Sequence, residues 1–360
     1  MIQFEARPGI LDLGWGHPRP ELLPTAEWGV AAGEALRVFG WQALTYGYAA
    51  GPRPLTEWLA ARLARIEGGD PDPDALFITA GASHALALLA SVLAEPDDVV
   101  LVDSPTYHLA FQILADARVE LREAGDDLAA TIRDLRAQNR RIAFLYLVPT
   151  FANPTGRSLP PDRRRALVER EDLTIVEDDT YRELVYDEAV APPSLWRMAG
   201  GRNVIRIGSF AKTVAPGLRL GWISATPALV GRLAGLGYVH SGGGVNHTTA
   251  VTMAAFGASG AYDRHLTRLR ESYRDQRDAL ATALSVEPPP GGWFLWLPVP
   301  PGRTATGLLT AAEQHGVSFV PGPHFYLDRR GGEDRIRLSF SLLPPGELTE
   351  AARRLRLALN

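Results

Sequence analysis

The chemistry in this sequence begins at Lys212. Lysine and arginine together number 37, and Lys212 is the one lysine among them. Arginine stays protonated at any working pH and is no nucleophile. A lysine amine, with an ordinary pKa near ~10.4, can be lowered by burial and then attack a carbonyl. Lys212 closes the run Ser209-Phe-Ala-Lys212, which follows the apolar segment Ile205–Gly208, and Arg219 stands seven residues further on. An amine, a hydroxyl and a guanidinium in one post-strand loop suit an aldehyde cofactor that carries a phosphate. The lysine would hold the aldehyde as a Schiff base while Ser209 and Arg219 hold the phosphate. A plain polar loop is the simpler reading, and the lysine count weighs against it.

Four further runs fit that cofactor. In Thr79-Ala-Gly81-Ala82-Ser83 a strand passes through glycine into a helix. The first backbone N–H groups of a helix have no internal partner and bind phosphate. A phosphate carries roughly −1.5 to −2 charges against the ~+0.5 of a helix end, so a full cation is needed too, and Arg219 supplies it. Glu177-Asp178-Asp179-Thr-Tyr181 ends another strand with carboxylates, and one of these could keep a pyridine nitrogen protonated. Asn153-Pro-Thr-Gly156 is a turn by propensity whose amide could donate to a phenolate oxygen. Asp103-Ser-Pro-Thr-Tyr107 ends in an aromatic ring able to stack on a flat heterocycle. No Gly-x-Ser-x-Gly elbow is present, against a hydrolase.

The elements that must position these residues alternate. Strands are expected at Leu76–Thr79, Val99–Asp103, Ile142–Leu147, Thr174–Glu177, Val204–Gly208 and Leu220–Ser224, with helices at Ser83–Leu93, Leu128–Gln138 and Pro161–Arg170. That pattern predicts an α/β fold with a mostly parallel sheet and helices on both faces, and such sheets bind ligands beyond the carboxyl ends of their strands. The run Tyr262–Leu284 reads as one long amphipathic helix. Strands Trp293–Leu297 and Arg335–Ser341 follow it, each succeeded by a helix. Residues 41–260 are therefore expected to form a large cofactor-binding domain. Residues 1–40 and 261–360 would form a smaller α+β domain, with the Gly/Pro-rich N-terminal segment returning to it. The arginine run Arg163–Arg165 reads as a solvated helix face.

Taken in order, Asn-Pro-x-Gly, Asp-x-x-Tyr and Ser-x-x-Lys with a downstream Arg resemble the fold-type I pyridoxal-phosphate enzymes. The branch is the class I/II aminotransferases of the 2-aminoadipate aminotransferase and MocR-like type. The resemblance extends to Gly14-Trp-Gly-His-Pro-Arg-Pro-Glu-Leu-Leu-Pro24, Tyr46-Gly-Tyr-Ala-Ala-Gly51 and Pro290-Gly-Gly-Trp-Phe-Leu-Trp296, and so covers nearly the whole chain. It implies pyridoxal 5'-phosphate as cofactor, with no metal. Lys212, Asp178 and Tyr107 would be the catalytic set: Lys212 carries the Schiff base and shuttles the Cα proton, Asp178 pairs with the ring nitrogen, and Tyr107 stacks on the ring. Asn153 and Tyr181 would contact the ring oxygen; Ala82, Ser83, Ser209 and Arg219 would hold the phosphate. Tyr46 would reach the phosphate of a neighbouring subunit in a homodimer. Arg337 would grip the substrate α-carboxylate, with Arg335 as its competitor, and Trp15, Gly16 and His17 would border the substrate side chain. Ala211 stands where relatives often have a second serine, and His84 where many have glutamine.

Composition bounds the alternatives. The chain has 360 residues, 46% hydrophobic and 22% charged, with net charge −4 and no cysteine. Disulfides and thiolate chemistry are excluded, and a nucleic-acid footprint is not expected. The longest apolar stretch, Ala85–Ala94, is about ten residues, short of the ~20 that cross a bilayer. No secretion signal is visible, so the cytoplasm is the expected compartment. The first expectation is an aminotransferase acting on an L-amino acid and a 2-oxo acid. A cofactor-sharing alternative diverts the carbanion to oxidation, hydroxylation, decarboxylation or side-chain cleavage, with His17 as its one supporting feature. A ligand-sensing regulator domain is the third alternative, and no helix-turn-helix pattern supports it.

Overall fold

The computed structural model describes residues 7–70 and 72–359. A seven-stranded sheet forms the centre, in the order Leu76–Thr79, Gly221–Ser224, Val204–Ser209, Ile175–Asp178, Ile142–Leu147, Val99–Val102 and Glu120–Glu123. Gly221–Ser224 runs antiparallel to both its neighbours, and every other pairing is parallel. The strand residues are apolar on both faces, as a sheet covered on both sides requires. Val100, Val102, Phe144, Tyr146 and Val176 pack into one core. Their alternates Val99, Leu101, Leu145, Leu147 and Ile175 pack into another on the opposite face. Burying side chains of this size contributes about 1.5–3 kcal/mol each.

Within the seven-stranded sheet, strand positions match the sequence expectation to within one residue at either end. The edge strand Glu120–Glu123 and the helix Leu109–Ala115 were not anticipated. That strand reads Glu-Leu-Arg-Glu, and pairing on one side only leaves it without the apolar run that marks its neighbours. The arginine run needs a correction as well: Arg163 and Arg165 are exposed on the helix Pro161–Val168, but Arg164 is wholly buried. Its guanidinium donates to the carbonyls of Pro149 (2.5 Å), Pro193 (2.8 Å) and Leu159 (2.9 Å) and to the Thr150 hydroxyl (2.9 Å). One helical turn brings three consecutive side chains onto three different faces, so a run of like residues need not share one environment.

The helix Ala261–Leu284 is 24 residues long. It buries Tyr262, His265, Leu266, Leu269, Tyr273, Gln276, Leu280 and Ala281 along one stripe, the three-and-four spacing of an amphipathic helix. It packs against the helix Pro345–Leu359, beside a three-stranded antiparallel sheet ordered Val320–Pro321, Arg335–Ser339, Phe294–Pro298. In the N-terminal segment, Leu11–Asp12 pairs in parallel with Val317–Ser318. The same segment also holds the helix Thr25–Phe39, which lies against the helix His247–Ala258. Among the described residues no helix is long and apolar enough to cross a membrane.

Candidate active site

Register across the sheet assembles the site. Gly221 is opposite both Thr79 and Ser209, and Asp178 is opposite Ile207. The carboxyl ends of three strands and the start of the antiparallel one therefore share a rim. Gly221 has to be glycine there, because a Cβ would lie 2.7 Å from the Gly208 carbonyl oxygen and 3.0 Å from the Gly81 Cα. The helix Ala82–Leu93 starts after Gly81, whose φ of +91° favours glycine. The Arg219 guanidinium lies against that start, donating to the Ala80 carbonyl at 3.3 Å, and a Cβ on Gly81 would meet it at 2.9 Å. A helix N-terminus and a full cation, far apart in the chain, so converge on one point. Ser209 is buried beside them, its Oγ accepting from the Ala211 N–H at 3.1 Å. His84 is half-buried: its Nδ1 accepts from the Ala80 N–H at 3.0 Å, and burial and then Arg219 lower its pKa.

Lys212 is half-buried, with its Nζ over the Trp293 ring at 4.6 Å from the centroid and 5.8 Å from that of Tyr181. Desolvation lowers its pKa to about 8; Asp178 pulls it back up, while Arg337 and Arg219 push the same way as burial. Asp178 is buried at its strand end, with Oδ2 accepting from the Tyr146 hydroxyl at 2.9 Å and Oδ1 from the Thr180 N–H at 3.3 Å. Burial raises the Asp178 pKa and these hydrogen bonds oppose the rise. Tyr107 is half-buried; burial and then Asp178 push its phenol up to about 12. Tyr181 is buried edge-on between Trp293 (5.9 Å) and Phe294 (5.7 Å).

Across the cleft, Arg337 and Asn153 are both 4% exposed, and the Arg337 guanidinium donates to Asn153 Oδ1 at 2.8 Å and to the Gly14 carbonyl. It is sandwiched between Phe294 (4.4 Å) and Phe325 (4.9 Å), and its Nε is buried with no hydrogen-bond partner. No carboxylate pairs with it among the described residues. Desolvation lowers its pKa to about 10, so it keeps its charge near neutral pH. Arg335, two residues earlier, is more exposed and pairs with Asp334 at 3.3 Å. The loop holding Trp15, Gly16 and His17 crosses the cleft: Lys212 Nζ donates to the Gly16 carbonyl at 3.4 Å, and the His17 carbonyl accepts from Ser341 Oγ at 2.9 Å. The His17 ring meets the Pro18 carbonyl at 2.6 Å.

Tyr46, also expected at the site, is 81% exposed on the surface of the chain. Sequence reasoning missed Tyr146, which sits inside an apolar strand with no motif around it.

The family model for class I and II aminotransferases matches residues 11–355. The chain belongs to the class I and II aminotransferases. A 2-aminoadipate transaminase of Thermus thermophilus is 36% identical over 385 aligned residues, covering 100% of this chain and 92% of the relative. An α-aminoadipate aminotransferase structure from Thermus thermophilus, solved with N-(5'-phosphopyridoxyl)-L-leucine, superimposes with TM-score 0.84 at 34% identity, over 98% of this chain and 92% of that one. A kynurenine aminotransferase of Pyrococcus horikoshii reaches TM-score 0.89 at 28% identity, over 98% and 91%. The fold is thus the fold-type I architecture of these enzymes, and this aminotransferase uses pyridoxal phosphate to move amino groups between amino acids and 2-oxo acids. The site fits that cofactor on its own geometry. It offers an anion cradle at Gly81 and Arg219, an amine of lowered pKa at Lys212, and a buried carboxylate at Asp178 within electrostatic reach of that amine.

Proposed function

We propose that this aminotransferase holds its cofactor between Tyr107 and the Lys212 strand end, with the phosphate at the Ala82 and Ser83 N–H groups, Ser209 and Arg219. Bound there, the cofactor supplies an electron sink that lets the substrate Cα–H bond break. Asp178 keeps a proton at the ring nitrogen, and Tyr181 and Asn153 hold the ring oxygen. Lys212 Nζ, with a pKa of about 8, would take the proton from the substrate Cα and hold it for return. Arg337 binds the α-carboxylate bidentately, because a planar guanidinium matches a carboxylate fork. The observation that carries this reading is Arg337 itself. It is a buried guanidinium without an acidic partner, held by Asn153 and Gly14 across the cleft from Lys212. A charge buried without a counter-ion is costly, and an incoming carboxylate supplies the counter-ion. The loop Trp15–His17 borders the substrate side chain.

The same reading makes the enzyme a homodimer whose partner completes the phosphate site with Tyr46. Supporting it, Val30, Val38, Trp41, Leu44, Tyr46 and Tyr48 are exposed apolar or aromatic side chains within one stretch of nineteen positions by numbering. Such a patch suits burial against a second copy. The test of the reaction is the absorbance of the cofactor-loaded protein, followed without oxygen as L-amino acids are added. The long-wavelength band is expected to convert with a competent amino acid and to return on adding a 2-oxo acid. A band that persists with every amino acid, or product that forms only in air, would overturn the reading.

A further inference from the structure

Tyr146 is a phenol where a phenylalanine would pack equally well. It lies in Ile142–Leu147 between Leu145 and Leu147, fully buried in the core on the cofactor face of the sheet. A hydroxyl in apolar surroundings costs stability unless it is hydrogen-bonded, and the partner here is Asp178 Oδ2, at 2.9 Å. The contact follows from register. Tyr146 is opposite Val176, and the period-two pleat places Asp178, two residues on, on the same face. Thr180 N–H takes the other oxygen at 3.3 Å. Tyr146 thus anchors one carboxylate oxygen while Thr180 anchors the group from the other side, which fixes its plane. Burial and the adjacent carboxylate hold the phenol protonated, and an ionised carboxylate can only accept, so the proton in this bond belongs to Tyr146.

We propose that Tyr146 is a positioning residue for the reaction: its hydroxyl keeps Asp178 ionised and oriented, and thereby sets how firmly the cofactor's ring nitrogen retains its proton. This rests on the reading of Asp178 as the partner of that nitrogen. Hydrogen bonds to ionised acceptors are shorter and stronger than neutral ones. Without this one, the proton shared between ring nitrogen and carboxylate shifts toward the carboxylate, and the electron sink weakens.

The experiment compares cofactor-loaded wild type, Tyr146→Phe and Asp178→Asn by three readouts. These are the pH midpoint of the bound cofactor's absorbance band, the separate values of kcat and KM for one amino acid, and the thermal midpoint. For Tyr146→Phe the absorbance midpoint is expected to move in the same direction as for Asp178→Asn, but less far. Its kcat should fall about tenfold, equivalent to about 1.4 kcal/mol, while KM stays within about twofold. An absorbance midpoint and kcat that match wild type in Tyr146→Phe, while Asp178→Asn loses both, would overturn the proposal. So would a loss of kcat accompanied by a lowered thermal midpoint and an unmoved absorbance midpoint, which marks a packing role only. If Asp178→Asn itself leaves absorbance and kcat unchanged, the reading of Asp178 fails instead.

Discussion

At the scale of single residues, two cations on opposite sides of the cleft define the site. Lys212 is lowered to about 8 chiefly by desolvation. A lowered amine is neutral above its folded pKa, so capture of the aldehyde by cofactor-free protein should accelerate as pH rises to about 8 and level off beyond it. Stopped-flow absorbance across pH 6–10, conditions spanning about two units either side, checks this; a rate still climbing steeply above pH 9 would mean the amine is not lowered. Arg337 and Arg335 separate by exposure and partner. Arg337→Ala should raise KM for the amino acid at least about 30-fold, since removing one partner of a buried charge pair costs 2–5 kcal/mol. Arg335→Ala, losing only a solvent-exposed ion pair with Asp334, should change it less than about twofold. Steady-state kinetics on both variants decides the assignment.

At the scale of elements, a buried charge cluster ties the central strands of the sheet to the segments packed on them. Arg206 pairs with Glu67 and, at 2.8 Å, with Asp179; Arg182 pairs with Asp179 and reaches Glu67 at 3.4 Å. Glu177 accepts from the N–H groups of Leu195 and Trp196 at 2.9 Å each. Arg164 stands beside this cluster and ties the loop Pro149–Leu159, which carries Asn153, to the neighbouring chain segment at Pro193. Arg164→Ala leaves the buried Pro149 carbonyl and Thr150 hydroxyl and the part-buried Leu159 and Pro193 carbonyls short of a donor, and each fully buried unsatisfied group costs about 1–3 kcal/mol. It is therefore expected to destabilise by about 3 kcal/mol or more in a denaturant titration. The exposed neighbour Arg163→Ala should stay within about 0.5 kcal/mol. Equal losses for the two variants would show that the run is one solvated face after all.

At the scale of the whole molecule, the proposed subunit contact around Tyr46 would make assembly and cofactor binding one equilibrium. Trp41 is 75% exposed in the single chain. Trp41→Asp, which places a charge in the proposed subunit contact, is expected to shift sedimentation from dimer toward monomer and to weaken cofactor retention together. Dissociation with full retention of the cofactor would separate Tyr46 from the phosphate site.

Sequence alone determined the family, the cofactor and the strand–helix alternation, because each rests on local order: a lone amine, a serine three residues before it, carboxylates closing an apolar run. It also placed most strands to within one residue, since apolar runs bounded by turns are read without knowing their neighbours. It could not distinguish Arg164 from Arg163 and Arg165, nor assign the strand Glu120–Glu123. Burial of those residues is decided by what packs on them. Only the tertiary structure set Gly221 between Thr79 and Ser209, Arg219 against Gly81, and Tyr146 against Asp178. The Gly221 and Tyr146 contacts are set by register between strands far apart in the chain, and a one-residue slip would turn a strand's side chains to the opposite face.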